Sequence, residues 1–173
     1  MIAPPVTRIL LLPGDYFVGD QRHQVRTLLG SCVSITLWHR RARIGAMSHY
    51  LLSGAPGPGS GGAAGVRNAR YGEDALALML ADLRARGIDG RECEAKVFGG
   101  ARVSPFLSDF CRIGQRNGRS AHELLARHGI EIVAASLYGH APRQIIFDIH
   151  SGDVWNRCIN ASADTPAAAR EPA

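Results

Sequence analysis

The chain has 173 residues, 46% of them hydrophobic, and a formal net charge of +5. That length favours one domain with a real core, and no apolar run approaches the roughly 20 residues that span a bilayer. Nineteen of the 20 basic residues are arginines, with Lys96 the single lysine. They are scattered, and no aromatic residues interleave with the densest group, Arg40-Arg41-Arg43, which argues against a nucleic-acid binder and leaves room for an acidic protein partner.

The first stretch, MIAPPVTRILLLPGD, holds an apolar run from Ile9 to Leu12 closed by Pro13-Gly14-Asp15. This is too short for a signal-peptide core, so a cytoplasmic protein without disulfides is expected. The four cysteines, Cys32, Cys93, Cys111 and Cys158, form no Cys-x-x-Cys pair and none sits near a histidine at zinc-site spacing. Cys93, Cys111 and Cys158 read as small buried hydrophobes.

Residues 8–12 and 25–29 read as short strands, the second leading into Gly30-Ser31. Val33, Ile35 and Leu37 then alternate with Ser34, Thr36 and Trp38, a period of two. A basic turn, HRRAR, leads into a second apolar run from Ile44 to Leu52, and the two runs form a β-hairpin candidate. Ser53 to Gly65 holds six glycines and two prolines and reads as a flexible loop beside that hairpin. Residues 68–86 read as a helix with Leu76, Met79, Leu80 and Leu83 on one face and Gly87 as its stop. A strand over 93–101 ends in Gly99-Gly100. A second helix over 113–129 opens on Gly and Asn residues and stops at Gly129. Strands over 130–139 and 143–155 follow, the latter with a turn at Ser151-Gly152-Asp153. The order predicts an α+β fold, a mixed α/β sandwich. Residues 1–158 form a single domain on this reading, and 159–173 a disordered Ala/Pro-rich tail.

The hairpin carries a cysteine after Gly-Ser and a histidine seventeen residues later. With a two-residue turn at Arg41-Ala42, or a four-residue loop with His39 facing Ile44, Cys32 lies opposite Leu51 and His49 opposite Ser34. Cys32 and His49 are then diagonal neighbours on one sheet face, roughly 7 Å apart or less at Cβ. A three-residue loop would place them on opposite faces. An adjacent imidazole raises the thiolate fraction of a thiol. Backbone N–H groups around Gly30 and Ser31 suit an oxyanion, and Thr27 is a candidate to orient the imidazole. Spacing alone leaves catalysis and plain core packing both open.

The segments TLLGSCVSITLW and GAMSHYLL, followed in order by RYGEDALALML, AKVFGGARV, IGQRNGRSAHELLARHGIEIVA and RQIIFDIHSGDVW, resemble the CheD chemoreceptor glutamine deamidase family over roughly Ile9 to Trp155. The resemblance implies an α/β sandwich like that of the cytotoxic necrotising factor deamidases. It implies a catalytic trio of Cys32, His49 and Thr27, needing no metal or organic cofactor. It implies methyl-accepting chemotaxis receptors as substrates, their glutamines converted to glutamate through a cysteine thioester. Some members of the family also hydrolyse glutamyl methyl esters, and some bind the CheC phosphatase. Leu52-Ser53 stand where the family carries Leu-Pro, which bears on substrate selection. Two rival readings are a chemotaxis docking module with weak or lost catalysis and a cysteine peptidase.

Overall fold

The computed structural model describes residues 5–54, 66–102 and 108–159. Most of the Ser53–Gly65 stretch, and the tail from residue 160, lie outside the described residues. The strands are β1 (Thr7–Leu10), β2 (Tyr16–Asp20), β3 (His23–Leu29), β4 (Val33–His39), β5 (Ile44–Ser48), β6 (Glu94–Gly99), β7 (Glu131–Leu137), β8 (Arg143–Asp148) and β9 (Val154–Cys158). The helices are α1 (Gly72–Ala85) and α2 (Ser108–Arg127). A four-stranded sheet runs β1-β3-β8-β9 and a five-stranded sheet runs β2-β5-β4-β6-β7. This is the expected α+β class, built as three layers.

The five-stranded sheet is the middle layer. Val33, Ile35 and Leu37 of β4 pack with Ala95 and Val97 against Leu76, Met79 and Leu83 of α1 and Leu124 and Leu125 of α2. The alternate residues Cys32 and Trp38 join Met47 and Phe98 in a second core with Val25, Leu29, Ile145 and Phe147 of the other sheet. Burial on both faces explains why β4 alternates large apolar with small or polar side chains instead of turning one face to water. Each buried aliphatic residue contributes about 1.5–3 kcal/mol.

Both helices stop the same way. Gly87 (φ +77°) and Gly129 (φ +66°) take the left-handed conformation. Ile88 N–H returns to the Leu83 carbonyl and Ile130 N–H to the Leu125 carbonyl, 3.0 Å in each case. These are paired Schellman ends, and they satisfy carbonyls that would otherwise be orphaned.

At one end the two sheets are fastened together. Trp38 Nε1 donates to the Ile149 carbonyl (2.9 Å), and Lys96 Nζ donates to the Gly152 carbonyl (2.8 Å). Thr27 and the loop before β4 lie toward the other end. There Gly99 (φ +113°) closes β6 against the Cys32 backbone so tightly that a Cβ would stand 2.2 Å from the Cys32 carbonyl oxygen.

Two sequence expectations need correction, and one strand was not anticipated: β2 forms by pairing with β5. The predicted strand over 143–155 is two strands, β8 and β9, paired across the 149–153 turn. Helix α2 begins at Ser108, not near 113, so Gly114, Asn117 and Gly118 are helix interior.

The Gly99 contact yields a test. Gly99→Ala adds both backbone strain and a collision with main chain, and is expected to lower stability by at least about 2 kcal/mol. Urea unfolding monitored by the fluorescence of Trp38 and Trp155 measures this, and a shift below 0.5 kcal/mol would contradict the packing described.

Candidate active site

The hairpin adopts the four-residue loop. His39 pairs with Ile44, Trp38 with Gly45, Leu37 with Ala46 and Thr36 with Met47. The register survives past the end of β5: Val33 and Tyr50 exchange both backbone hydrogen bonds, at 3.1 and 3.0 Å. Cys32 and His49 therefore share the face turned to the four-stranded sheet. Between these pairs the ladder opens. The Ser48 hydroxyl bridges the N–H and carbonyl of Ile35 in place of a backbone pair. The His49 backbone turns instead to the Pro13-Gly14-Asp15 turn, donating to the Asp15 carbonyl (2.9 Å) and accepting from Gly14 N–H (2.7 Å).

The His49 side chain meets Thr27 of β3 across the gap between the sheets. Thr27 Oγ1 lies 2.7 Å from His49 Nδ1 and donates to the Leu11 carbonyl at 2.8 Å. A hydroxyl has one proton. With that proton on Leu11, the contact with His49 requires Nδ1 to donate and Oγ1 to accept. This fixes the tautomer: Nδ1 carries the hydrogen and Nε2 carries the bare lone pair. Nε2 is buried and has no hydrogen-bond partner among the described residues. Ser34, opposite His49 in the register, is buried with an equally unpartnered hydroxyl.

Cys32 is half-buried, ahead of β4. All three carbonyls of its loop are held. Gly30 O accepts from Ala101 N–H (2.9 Å), Cys32 O from Gly100 N–H (2.8 Å) and Ser31 O from Asn117 Nδ2 (3.1 Å). In a trans peptide the N–H points opposite to the preceding carbonyl. The Ser31 and Cys32 N–H groups accordingly face away from these anchors. Neither donates to another residue among the described ones.

Burial pushes the Cys32 thiol above its ordinary pKa, with the residue's own backbone N–H opposing. Burial also pushes His49 down, against the Leu11 carbonyl and the Asp15 charge. Both directions favour a neutral thiol and a neutral imidazole in the free protein, with no hydrogen bond between Cys32 and His49, in place of the thiolate that the sequence suggests. Cys93 is buried and pushed further, to about 12, by burial first and then by Glu92 and Asp89. Cys158, expected to be buried, is exposed, because β9 is the edge of the four-stranded sheet. The side chain of Cys111 lies outside the described residues.

Sequence reasoning thus named Thr27, Gly30, Ser31, Cys32 and His49, and the structure gathers them at one end of the gap between the sheets. It missed the Leu11 carbonyl, Ser34 and Asn117. Only Asn117 left a trace, as a polar residue between two glycines within a helical pattern. Among the described residues no group of His, Cys, Asp and Glu side chains could hold a metal ion.

A family model described as CheD chemotactic sensory transduction matches residues 56–158. Three relatives extend the similarity. A probable chemoreceptor glutamine deamidase CheD 2 of Albidiferax ferrireducens is 49% identical over 153 residues, 87% of each chain. A probable chemoreceptor glutamine deamidase CheD 1 of Chromobacterium violaceum is 38% identical over 88% of this chain and 78% of its own. A probable chemoreceptor glutamine deamidase CheD of Acidiphilium cryptum is 39% identical over 94% of this chain and 83% of its own.

The His49 shift sets a pH dependence of stability. Its folded pKa lies below the unfolded value, so the unfolded chain binds the proton more readily. His49 therefore contributes stability that is complete above about pH 6.5 and is lost as the pH falls through the folded pKa. Urea midpoints measured from pH 8 to 5 should decline on the acid side, and His49→Gln should flatten part of that decline. Identical slopes would contradict the burial described.

Proposed function

The chain belongs to the CheD family, and on that premise we propose that it is a cysteine-dependent protein-glutamine deamidase acting on chemoreceptors. The observation that carries the reading is the Thr27–His49 pair, which leaves Nε2 bare, buried and on the face shared with Cys32. A histidine held only for packing has no need of a fixed tautomer with its free lone pair turned inward.

The neutral resting pair suits general-base attack. His49 Nε2 takes the Cys32 proton as Sγ forms a bond to the side-chain amide carbon of a glutamine. The carbonyl electron pair moves onto oxygen, where the Ser31 and Cys32 N–H groups receive it. Collapse breaks the C–N bond, and the proton on Nε2 leaves with ammonia. Water then attacks the thioester with its proton passing to Nε2. Glutamate departs as the proton returns to Cys32. Thr27 holds Nδ1–H throughout and stabilises the transient imidazolium.

A glutamyl methyl ester would follow the same course with methanol as the leaving group. A docking module that had lost catalysis would not need the Thr27–His49 pair. The resemblance also proposes a CheC-like phosphatase as a partner. The reading includes a cytoplasmic location, supported by Cys32, Cys93 and Cys158 being free thiols. It includes a single domain, supported by the five-stranded sheet belonging to both cores.

Co-expression with a chemoreceptor tests the proposal. Mass spectrometry should show a gain of about one dalton per converted glutamine, as amide becomes acid. Cys32→Ala should abolish the gain with thermal unfolding nearly unchanged. Conversion that persists in Cys32→Ala would overturn the assignment, and cleavage of the receptor chain would favour a peptidase.

The pH profile gives a second test. The base must be neutral, and its pKa is depressed. The acid limb of kcat/KM should therefore fall below about pH 6.5, the ordinary histidine value. Thr27→Val should lower kcat by about 100-fold by releasing the tautomer. An acid limb above pH 7, or a Thr27→Val variant of full activity, would count against His49 in this role.

A further inference from the structure

Helix α2 reaches the site through one polar side chain. Gly114, Asn117, Gly118 and Ala121 are all buried and recur at i, i+3, i+4 and i+7. Asn117 Nδ2 donates to the Ser31 carbonyl at 3.1 Å and to the Leu51 carbonyl at 2.7 Å. Ser31 precedes the proposed nucleophile. Leu51 lies two residues beyond His49 and opposite Cys32 in the hairpin register. One amide thus ties the Cys32 loop to the segment that carries His49.

The chemistry of that amide leaves no alternative arrangement. Its NH2 has two protons, and both are used. Turned over, it would present an oxygen to two carbonyl oxygens at hydrogen-bond distance. Asn117 Oδ1 is buried without a partner among the described residues, a cost that the two donated bonds must offset. The backbone of Asn117 is itself held, its carbonyl accepting from the Tyr50 hydroxyl at 2.6 Å. Tyr50 is the residue paired with Val33.

The flanking glycines let the helix come this close. A Cβ on Gly114 would stand 2.5 Å from the Gly100 carbonyl oxygen, and one on Gly118 would stand 2.8 Å from the Tyr138 ring. Each glycine weakens a helix interior. The close approach that they permit puts Asn117 within reach of both carbonyls.

We propose that Asn117 is a positioning residue of the deamidation site, holding Ser31 and Leu51 at a fixed separation and aiming the Cys32 N–H. The Ser31 carbonyl and the Cys32 N–H belong to one rigid peptide plane. Anchoring the carbonyl on Asn117 therefore sets the direction of a proposed oxyanion donor. It also sets the approach of Cys32 Sγ to His49 Nε2. This role rests on the reading of Cys32 and His49 as the reacting pair.

Asn117→Ala and Asn117→Asp test it, assayed by ammonia release from a purified chemoreceptor with Cys32→Ala alongside. In Asn117→Ala kcat should fall about 10–100-fold with KM within about twofold, because the loss acts on the transition state and not on receptor binding. Asn117→Asp keeps the side chain's shape. Its neutral acid donates one proton and its ionised form none, so its kcat should decline as pH rises through the new carboxyl's ionisation, a limb that the parent chain lacks. That limb decides the question where Asn117→Ala is too unstable to assay. A folded Asn117→Ala with parental kcat, or an Asn117→Asp profile that superimposes on the parent's, overturns the role while Cys32→Ala remains inactive. Ammonia release persisting in Cys32→Ala overturns the reading of the site, and the role with it.

Discussion

One proton on the Thr27 hydroxyl organises the site. It is committed to the Leu11 carbonyl, so the same oxygen can only accept from His49. That contact joins the two sheets at the end away from the Trp38 and Lys96 bonds, and it selects which imidazole nitrogen stays bare. The lone pair on Nε2 could not be assigned from side-chain positions alone. It follows from a main-chain oxygen at the end of β1, which closes a chain of donors in a region with little water to substitute.

The layered fold provides the two arms that this contact needs. The β4–β5 hairpin contributes Cys32 and His49 to one face of the middle sheet, and β3 contributes Thr27 from the facing sheet. The Ser48 hydroxyl, inserted against Ile35, lets the chain at His49 leave β4 and bond the Gly14-Asp15 turn without changing register. Tyr50 resumes the pairing. The face that a side chain occupies is thus preserved across a local break in the ladder. Parity depends on the count of residues, not on unbroken hydrogen bonding.

Much of this was legible in the amino-acid sequence, for identifiable reasons. The alternation in Val33–Trp38 reports burial on two unlike faces, and Gly87 and Gly129 mark helix ends because their local chemistry suffices. The proposed roles of Cys32, His49 and Thr27 came through family resemblance, since spacing and composition alone favour core packing. Other features escaped because they are set by distant partners. The segment Tyr16–Asp20 becomes a strand by pairing with β5. Cys158 is exposed because of its place at a sheet edge, which residue type cannot reveal. Gly114, Asn117 and Gly118 read as the opening of the helix, whereas they lie in its interior on its inner face, where tertiary contact overrides propensity.

The contact between Gly100 and Gly114 is reciprocal: a Cβ on Gly100 would stand 2.7 Å from the Gly114 carbonyl oxygen, and one on Gly114 2.5 Å from that of Gly100. Each position is closed by the other's main chain, not by its side chain, so no compensating deletion is available. A larger residue at either one must displace a whole backbone segment. A side chain at either position thus acts as a wedge that drives α2 and the turn after β6 apart as two rigid pieces.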